Sequence, residues 1–232
     1  MVDSGLIVRA FEGDAAHSAA IRVYLGRAQD LADTTVVWHP GEFIWNAYRA
    51  SSGSQFATVE HGDEVMALVY FGSPGAIDVV VDQSLRDAGA IQTLAIEVVR
   101  RAIEWPEPEG EVTLSVGGED TWLAAIAGEL GFVNSGEAEF RSSSVQLPAD
   151  LDVVVPPGFR IVGMDGAVDL DERVQAHRDV WAPSKFTRVD YDSLRAAEGY
   201  RGDLDLAAVA ADGTIASYAI GWFDPVSRFG QL

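Results

Sequence analysis

Apolar positions fall into short β-branched runs separated by stretches of helical spacing, so the chain reads as strands alternating with helices. The pattern at its centre is Ile77–Arg101, IDVVVDQSLRDAGAIQTLAIEVVRR. Val79, Val80 and Val81 form an unbroken β-branched run, the signature of a buried strand. Asp82 to Ala90 is polar, carries Arg86 and Gly89, and reads as a turn. Ile91, Leu94, Ala95, Val98 and Val99 then recur at helical spacing, with Glu97, Arg100 and Arg101 off that stripe. Upstream, Leu6–Arg9 reads as a first strand and Asp14–Ala32 as a helix capped near Asp14. Val36–Tyr48 gathers Trp38, Phe43, Trp45 and Tyr48 around a His-Pro-Gly turn. It reads either as a second helix with an aromatic core face or as an aromatic wall for a substrate, with His39 as a polar contact. Phe56–Glu60 and Val65–Phe71 are strands joined by His61-Gly62-Asp63, a hairpin signal. After the central helix, Trp105–Gly110 is a Pro-rich break and Val112–Val116 a strand. Asp120–Leu130 is a helix with Trp122, Leu123, Ile126 and Leu130 inward, closed by Gly131. Phe140–Leu147 gives a last strand.

The remainder restarts the same order. Residues 148–157 read as a linker ending in Pro156-Pro157-Gly158. Phe159–Val162 matches the first strand, and Val168–Trp181 the first helix. Leu206–Ala210, Asp212-Gly213 and Ile215–Phe223 repeat the strand, turn and strand of Phe56–Phe71 at an offset of roughly 150 residues, the pattern of an internal duplication. The expected organisation is a unit over 1–147, a linker over 148–157, and a partial second unit over 158–232. The second copy lacks its own strand–turn–helix, so its sheet edge must pack on the first unit, on a second copy in a homodimer, or on a portion of the protein beyond residue 232.

Composition narrows the partners. The chain has 232 residues, 36 acidic against 16 basic, for a formal charge of −20. Such a surface disfavours nucleic acid and anionic membranes and favours cationic amines. Cysteine is absent, which removes disulfides and thiolate chemistry. No apolar run reaches the length of a membrane span and the N-terminus lacks the features of a secretory signal, so the expected location is the cytoplasm. His17, His39, His61 and His177 have no metal-ligand spacing, so no metal is expected.

The strand–turn–helix of the central pattern is the arrangement that presents unpaired helix amides and the positive dipole end to an anion. Its alternative reading is an ordinary connection in an α/β domain. The order of elements resembles the GNAT superfamily of acyl-CoA-dependent N-acyltransferases. VVVDQSLRDAGAIQTL, Val79–Leu94, is similar to that family's acyl-CoA motif, with Val81, Arg86, Gly89 and Leu94 on matching positions. ELGFVNSGEAEF, Glu129–Phe140, resembles its helix ending in L-G-F, and GYRGDLDLAAVAADGTIASYAIGWFDP in the second copy resembles it again. The resemblance implies a mixed α/β fold with a central sheet flanked by helices, and a second, incomplete copy. It implies acetyl-CoA as co-substrate, held by the backbone of Val79, Val80 and Val81 and by Arg86, Asp87, Ala88, Gly89, Ala90 and Ile91. It further implies a thioester polarised by a backbone N–H near Val79–Val81 and a carboxylate to take the proton of a small acceptor amine. Asp78, the nearest strand carboxylate, and Glu60, beside the hairpin, are the candidates. Trp38, His39, Phe43 and Trp45 would line the acceptor.

Two departures bear on activity. Ile91 replaces the final small residue of the motif. Ala127 stands where many relatives carry a Tyr that protonates the leaving thiolate. Two further readings therefore stand beside the N-acyltransferase: a non-catalytic ligand-binding or assembly module, and a fragment whose active half lies beyond residue 232.

Overall fold

The computed structural model describes residues 5–31, 38–72, 75–87, 93–105, 110–118, 120–136, 154–166 and 169–232. The chain divides into two compact units, one of Met1–Trp38 with Gly53–Ser143 and the other of His39–Ser52 with Ser144–Leu232.

The first unit is a five-stranded mixed sheet with helices on both faces. Strands β1 (Leu6–Ala10), β2 (Gln55–His61), β3 (Glu64–Gly72) and β4 (Ala76–Val81) pair antiparallel in that order, and β5 (Thr113–Leu114) runs parallel to β4. Gly62 at φ 63° makes the β2–β3 hairpin turn that His61-Gly62-Asp63 predicts. Alternation sorts the strand side chains onto two faces. Val59, Ala67, Val69, Ile77, Val79 and Val81 are buried on one, against Ala95, Val98, Val99 and Ala102 of α4 (Thr93–Glu104) and Leu123 and Ile126 of α5 (Thr121–Glu129). Each fully buried Val or Ile there contributes about 1.5–3 kcal/mol. The opposite face meets α1 (Ala15–Leu31), whose Ile21 and Leu25 are fully buried and whose Tyr24 hydroxyl donates to the Val80 carbonyl at 2.9 Å.

The polar stretch after β4, expected to be a turn, contains a short helix, α3 (Gln83–Asp87). Asp82 starts it by accepting the Ser84 N–H at 2.9 Å, the local competition that makes Asp a helix initiator. Asp120 caps α5 by accepting the Leu123 N–H at 3.0 Å, and Gly131 at φ 90° follows its end. The strand expected over Phe140–Leu147 lies outside the described residues.

The second unit is a three-stranded antiparallel sheet, β6 (Phe159–Gly163), β7 (Asp205–Ala210) and β8 (Ile215–Ile220), with α2 (Pro40–Ala47), α6 (Leu170–Val180) and α7 (Arg188–Ala196). A two-stranded ladder, β9 (Trp222–Phe223) with β10 (Gly230–Gln231), continues from β8. The sheet repeats β1–β2–β3 in order and direction. It also repeats a register shift, at Val59/Glu60 in one copy and Ala208/Val209 in the other.

His39–Ser52, read from sequence within the first unit, packs in the second. Gly41 lies so close to the Trp222 ring that a Cβ there would overlap it. Phe43 is fully buried, Trp45 stacks on Phe186 with centroids 5.7 Å apart, and the Ser51 N–H donates to Asp190. Helix α7 had no counterpart in the expected pattern. It is started by a capping box, in which Thr187 Oγ1 accepts the Asp190 N–H and Asp190 accepts the Thr187 N–H at 2.8 Å. A buried ionic cluster holds the sheet to the helices: Arg173 and Asp205, both fully buried, pair at 3.2 Å.

Candidate active site

The central strand separates from its neighbour in the first unit. β4 and β5 pair only at Ala76↔Thr113 and Ile77↔Leu114, with the Thr113 and Ser115 amides donating to the Gly75 and Ile77 carbonyls. The strand expected over Val112–Val116 is thus shorter than its apolar pattern. Backbone groups alternate sides along a strand, so Val79 and Val81 present their N–H and C=O to the side of Gly75 and Ile77. They have no strand partner there among the described residues. Val80 faces the other way, toward β3, where it pairs with Leu68.

Asp78 lies on the sheet face opposite Val79 and Val81, as strand alternation predicts. It stands across from Tyr70 on β3 and accepts the Trp38 indole N–H at 3.2 Å. Trp38 in turn packs on Tyr70 at 4.5 Å between centroids and on Phe56 at 5.7 Å. The result is a half-buried carboxylate with an aromatic surround, and Trp38 and Asp78, singled out separately in the sequence, come together. Glu60 is not part of this group. It accepts the Thr58 hydroxyl at 2.6 Å, and because that proton is used, His17 Nε2 donates to Thr58 Oγ1 at 3.0 Å. His17 is buried, and burial pushes its pKa below the ordinary histidine value.

The other expected site residues separate. Arg86 is held by Asp120, both of whose oxygens lie 2.9 Å from Nη1, and its guanidinium sits over the Trp122 ring at 4.7 Å. Asp87 closes α3, while Ala88, Gly89, Ala90 and Ile91 lie outside the described residues. His39 uses both ring nitrogens locally. Nδ1 accepts the Gly41 N–H at 2.9 Å to cap α2, which leaves Nε2 protonated to donate to the Phe229 carbonyl at 3.2 Å. Phe43 is fully buried and has no surface to offer a ligand. Trp45 is covered by Arg49 at 4.4 Å and by Phe186. His39, Phe43 and Trp45 therefore serve the core of the second unit, which corrects their reading as an acceptor wall.

Tyr70 and Tyr24, which the sequence reading takes as strand and helix positions and not as site residues, are placed by the fold beside Asp78 and against Val80. Tyr70 stands opposite Asp78 once the His61-Gly62-Asp63 hairpin fixes the register, a signal present in the sequence but not followed. Tyr24 shares a helix face with His17 and Ile21 at spacings of seven and three, which marked it as inward. Among the described residues no group of three His, Asp or Glu could hold a metal ion. No helix among them is long and apolar enough to cross a membrane.

The element order through α5 is the one the GNAT resemblance leads one to expect, on a mixed α/β sheet. No family model matches the chain, and no curated protein matches it by sequence. Among solved structures it is similar to a GCN5-related N-acetyltransferase from Sphaerobacter thermophilus, at 18% identity and TM-score 0.46, over 96% of this chain and 73% of that one. It is similar to a tandem GNAT protein from the clavulanic acid biosynthesis pathway, at 14% identity and TM-score 0.44, over 92% and 73%. A third is an acetyltransferase from Streptococcus agalactiae, at 13% identity and TM-score 0.40, over 66% and 93%.

Proposed function

We propose that the first unit is an acyl-CoA-dependent N-acyltransferase acting on a small amine. The observation that carries the reading is the separation of β4 from β5, which presents the Val79 and Val81 backbone on an edge with no strand partner among the described residues. An acyl-pantetheine arm is an extended amide chain, the kind of ligand that such an edge binds as an added strand. The Val79 N–H would donate to the thioester oxygen and stabilise the negative charge that develops there. The amine nitrogen attacks the thioester carbon, the C–S bond breaks, and the leaving thiolate takes up, directly or through water, the proton that the nitrogen sheds on becoming an amide. Asp78, fixed by the Trp38 N–H, takes the ammonium proton before attack, directly or through water. A cationic amine suits this position because the Asp78 carboxylate and the faces of Trp38 and Tyr70 would attract it. Arg86 is engaged by Asp120, so the pyrophosphate would rest chiefly on the Ala88–Ile91 stretch.

Calorimetric titration with acetyl-CoA tests the cofactor. Binding that is lost in Gly89→Glu supports the reading, and no binding by the folded protein removes it. Asp78→Asn tests the base, with kcat/KM expected to fall roughly 10²–10⁴-fold while acetyl-CoA affinity holds. A second reading, ligand binding without turnover, is favoured by Ala127: it is buried in α5 and supplies no hydroxyl acid. Acetyl-CoA binding without activity across an amine screen would select it.

A further inference from the structure

β4 and β5 last pair at Ile77↔Leu114, yet the chain ties them together again farther on. β4 runs into α3, which carries Arg86, and the chain after β5 leads to Asp120, the N-cap of α5. Both Asp120 oxygens lie 2.9 Å from Arg86 Nη1, so one ion pair links the helix that follows β4 to the helix that follows β5. Each partner has a second hold. The Arg86 guanidinium lies over the Trp122 ring at 4.7 Å, and Asp120 accepts the Leu123 N–H at 3.0 Å. The two side chains are only 23% and 20% exposed, so water and salt screen the pair less than they screen a pair on the open surface.

The charges along these stretches give the pair its meaning. Arg86 is the one basic residue in the sequence over 75–92 and 110–121, the stretches that carry β4, α3, β5 and the start of α5. Six acidic residues share them: Asp78, Asp82 and Asp87 in the first, Glu111, Glu119 and Asp120 in the second. An acyl-CoA donor divides its own charge unevenly. Its thioester and pantetheine amides are neutral, and its negative charge sits on the diphosphate and the ribose phosphate. A phosphate arriving here meets one cation, and that cation is already neutralised by a carboxylate of the protein.

Capping α5 does not require this arrangement. Asn and Ser cap a helix about as well as Asp does, and neither brings a charge. Asp120 brings one and directs it at Arg86. A guanidinium binds carboxylate and phosphate through the same N–H donors, so the two anions compete for it. The carboxylate is fixed in place by its own cap bond and is present before any ligand arrives.

Resting on the acyltransferase reading of the first unit, we propose that Asp120 is a specificity-determining residue for the acyl donor. By engaging Arg86 it withholds from the donor's phosphates the one cation of these stretches. The grip on the donor then falls on the neutral pantetheine arm along the Val79 and Val81 backbone, and the nucleotide adds little. Acyl thioesters of pantetheine that lack the nucleotide are therefore donors on nearly the same terms as acetyl-CoA.

The test is calorimetric titration of the 232-residue protein with acetyl-CoA, S-acetyl-pantetheine and inorganic pyrophosphate, in the parent, Asp120→Asn and Asp120→Ser. Both substitutions keep a capping side chain, and the serine ends short of Arg86. The expected result is that both variants bind pyrophosphate and acetyl-CoA about tenfold more tightly or better at low salt, with the gain shrinking as salt is added. Affinity for S-acetyl-pantetheine should not change. Arg86→Met should abolish the gain when combined with Asp120→Asn, and should change acetyl-CoA affinity less than about threefold in the parent. Damage to the fold cannot imitate a gain in affinity confined to phosphate-bearing ligands. Pyrophosphate binding that neither variant improves overturns the proposal, and so does an Arg86→Met loss as large in the parent as in Asp120→Asn. Tighter pyrophosphate binding with neither thioester bound would uphold the role of Asp120 and remove the acyltransferase reading instead.

Discussion

Replacing Asp205 by Ala should unfold the second unit at denaturant concentrations that the parent tolerates. Asp205 opens β7, is fully buried, and accepts three hydrogen bonds: Arg173 Nε at 3.2 Å, the Tyr191 hydroxyl at 2.9 Å and the Tyr200 hydroxyl at 3.0 Å. Both phenols remain protonated donors, because burial first and the Asp205 charge second raise their pKa values, that of Tyr200 to about 12. Among the described residues the Arg173 guanidinium has no other hydrogen-bonded partner, and it rests 3.6 Å from the centre of the Tyr218 ring. Removing the carboxylate leaves that cation buried without its counter-charge, at about 3–5 kcal/mol. The Tyr191 hydroxyl, also buried, loses its acceptor for a further cost of about 1–3 kcal/mol. A loss of about 4–8 kcal/mol consumes much of the 5–15 kcal/mol typical of a domain. Urea unfolding followed by tryptophan fluorescence reports it, since Trp45, Trp181 and Trp222 all belong to the second unit. The double substitution Arg173→Met with Asp205→Leu should lose less than Asp205→Ala, because no charge is then left buried. A cost below about 1 kcal/mol for Asp205→Ala, or a double variant less stable than the single, would refute the reasoning.

Acid should weaken the second unit through His177, whose pKa falls to about 4, by burial first and then by the Arg173 and Arg49 charges. An unfolded histidine titrates near 6.5, so the neutral folded form contributes fully above that pH, and the contribution is lost as pH drops from 6.5 toward 4. At about 1.4 kcal/mol per pH unit the upper limit is about 3 kcal/mol, and His177→Phe should flatten the measured stability–pH slope over that window. Gly41→Ala should cost about 1–3 kcal/mol by thermal or urea melting, because the new methyl meets the Trp222 side chain close to the backbone, where it cannot swing aside. Trp38→Phe removes the N–H that holds Asp78 while keeping most of the ring packing, so it should lower kcat more than it raises KM; an unchanged kcat would mean that Asp78 is held without it.

The fold of the first unit was legible because its signals are local. Alternation in Phe56–Phe71 and the His61-Gly62-Asp63 turn fix a hairpin, and the β-branched run and the stripe of Val98 and Val99 fix a strand and a helix. The same alternation placed Asp78 opposite Val79. What remained illegible depends on distance along the chain. His39-Pro40-Gly41 announces a helix start, yet nothing near it says that Gly41 is small to admit Trp222, or that Phe43 and Trp45 fill a core built mostly after residue 154. Helix α7 was an oversight of a different kind, since Thr187-Arg188-Val189-Asp190 carries the capping-box spacing and only its weakly apolar interior hid it. The engagement of Arg86 by Asp120 could not be foreseen, because an arginine meant for an anionic ligand and one meant for a carboxylate look alike in sequence.

Helix α2 also sets a timetable for synthesis. Phe43 and Trp45 leave the ribosome roughly 180 residues before Trp222, the side chain that closes over Gly41. At about 5–20 residues per second that is roughly 10–35 seconds during which a short aromatic helix has no finished core to enter. Meanwhile the strands on either side of it in sequence, β1 and β2, already have what they need to pair with each other. The nascent chain must therefore carry α2 with its apolar face waiting, so the second unit can complete only once Trp222 has been made.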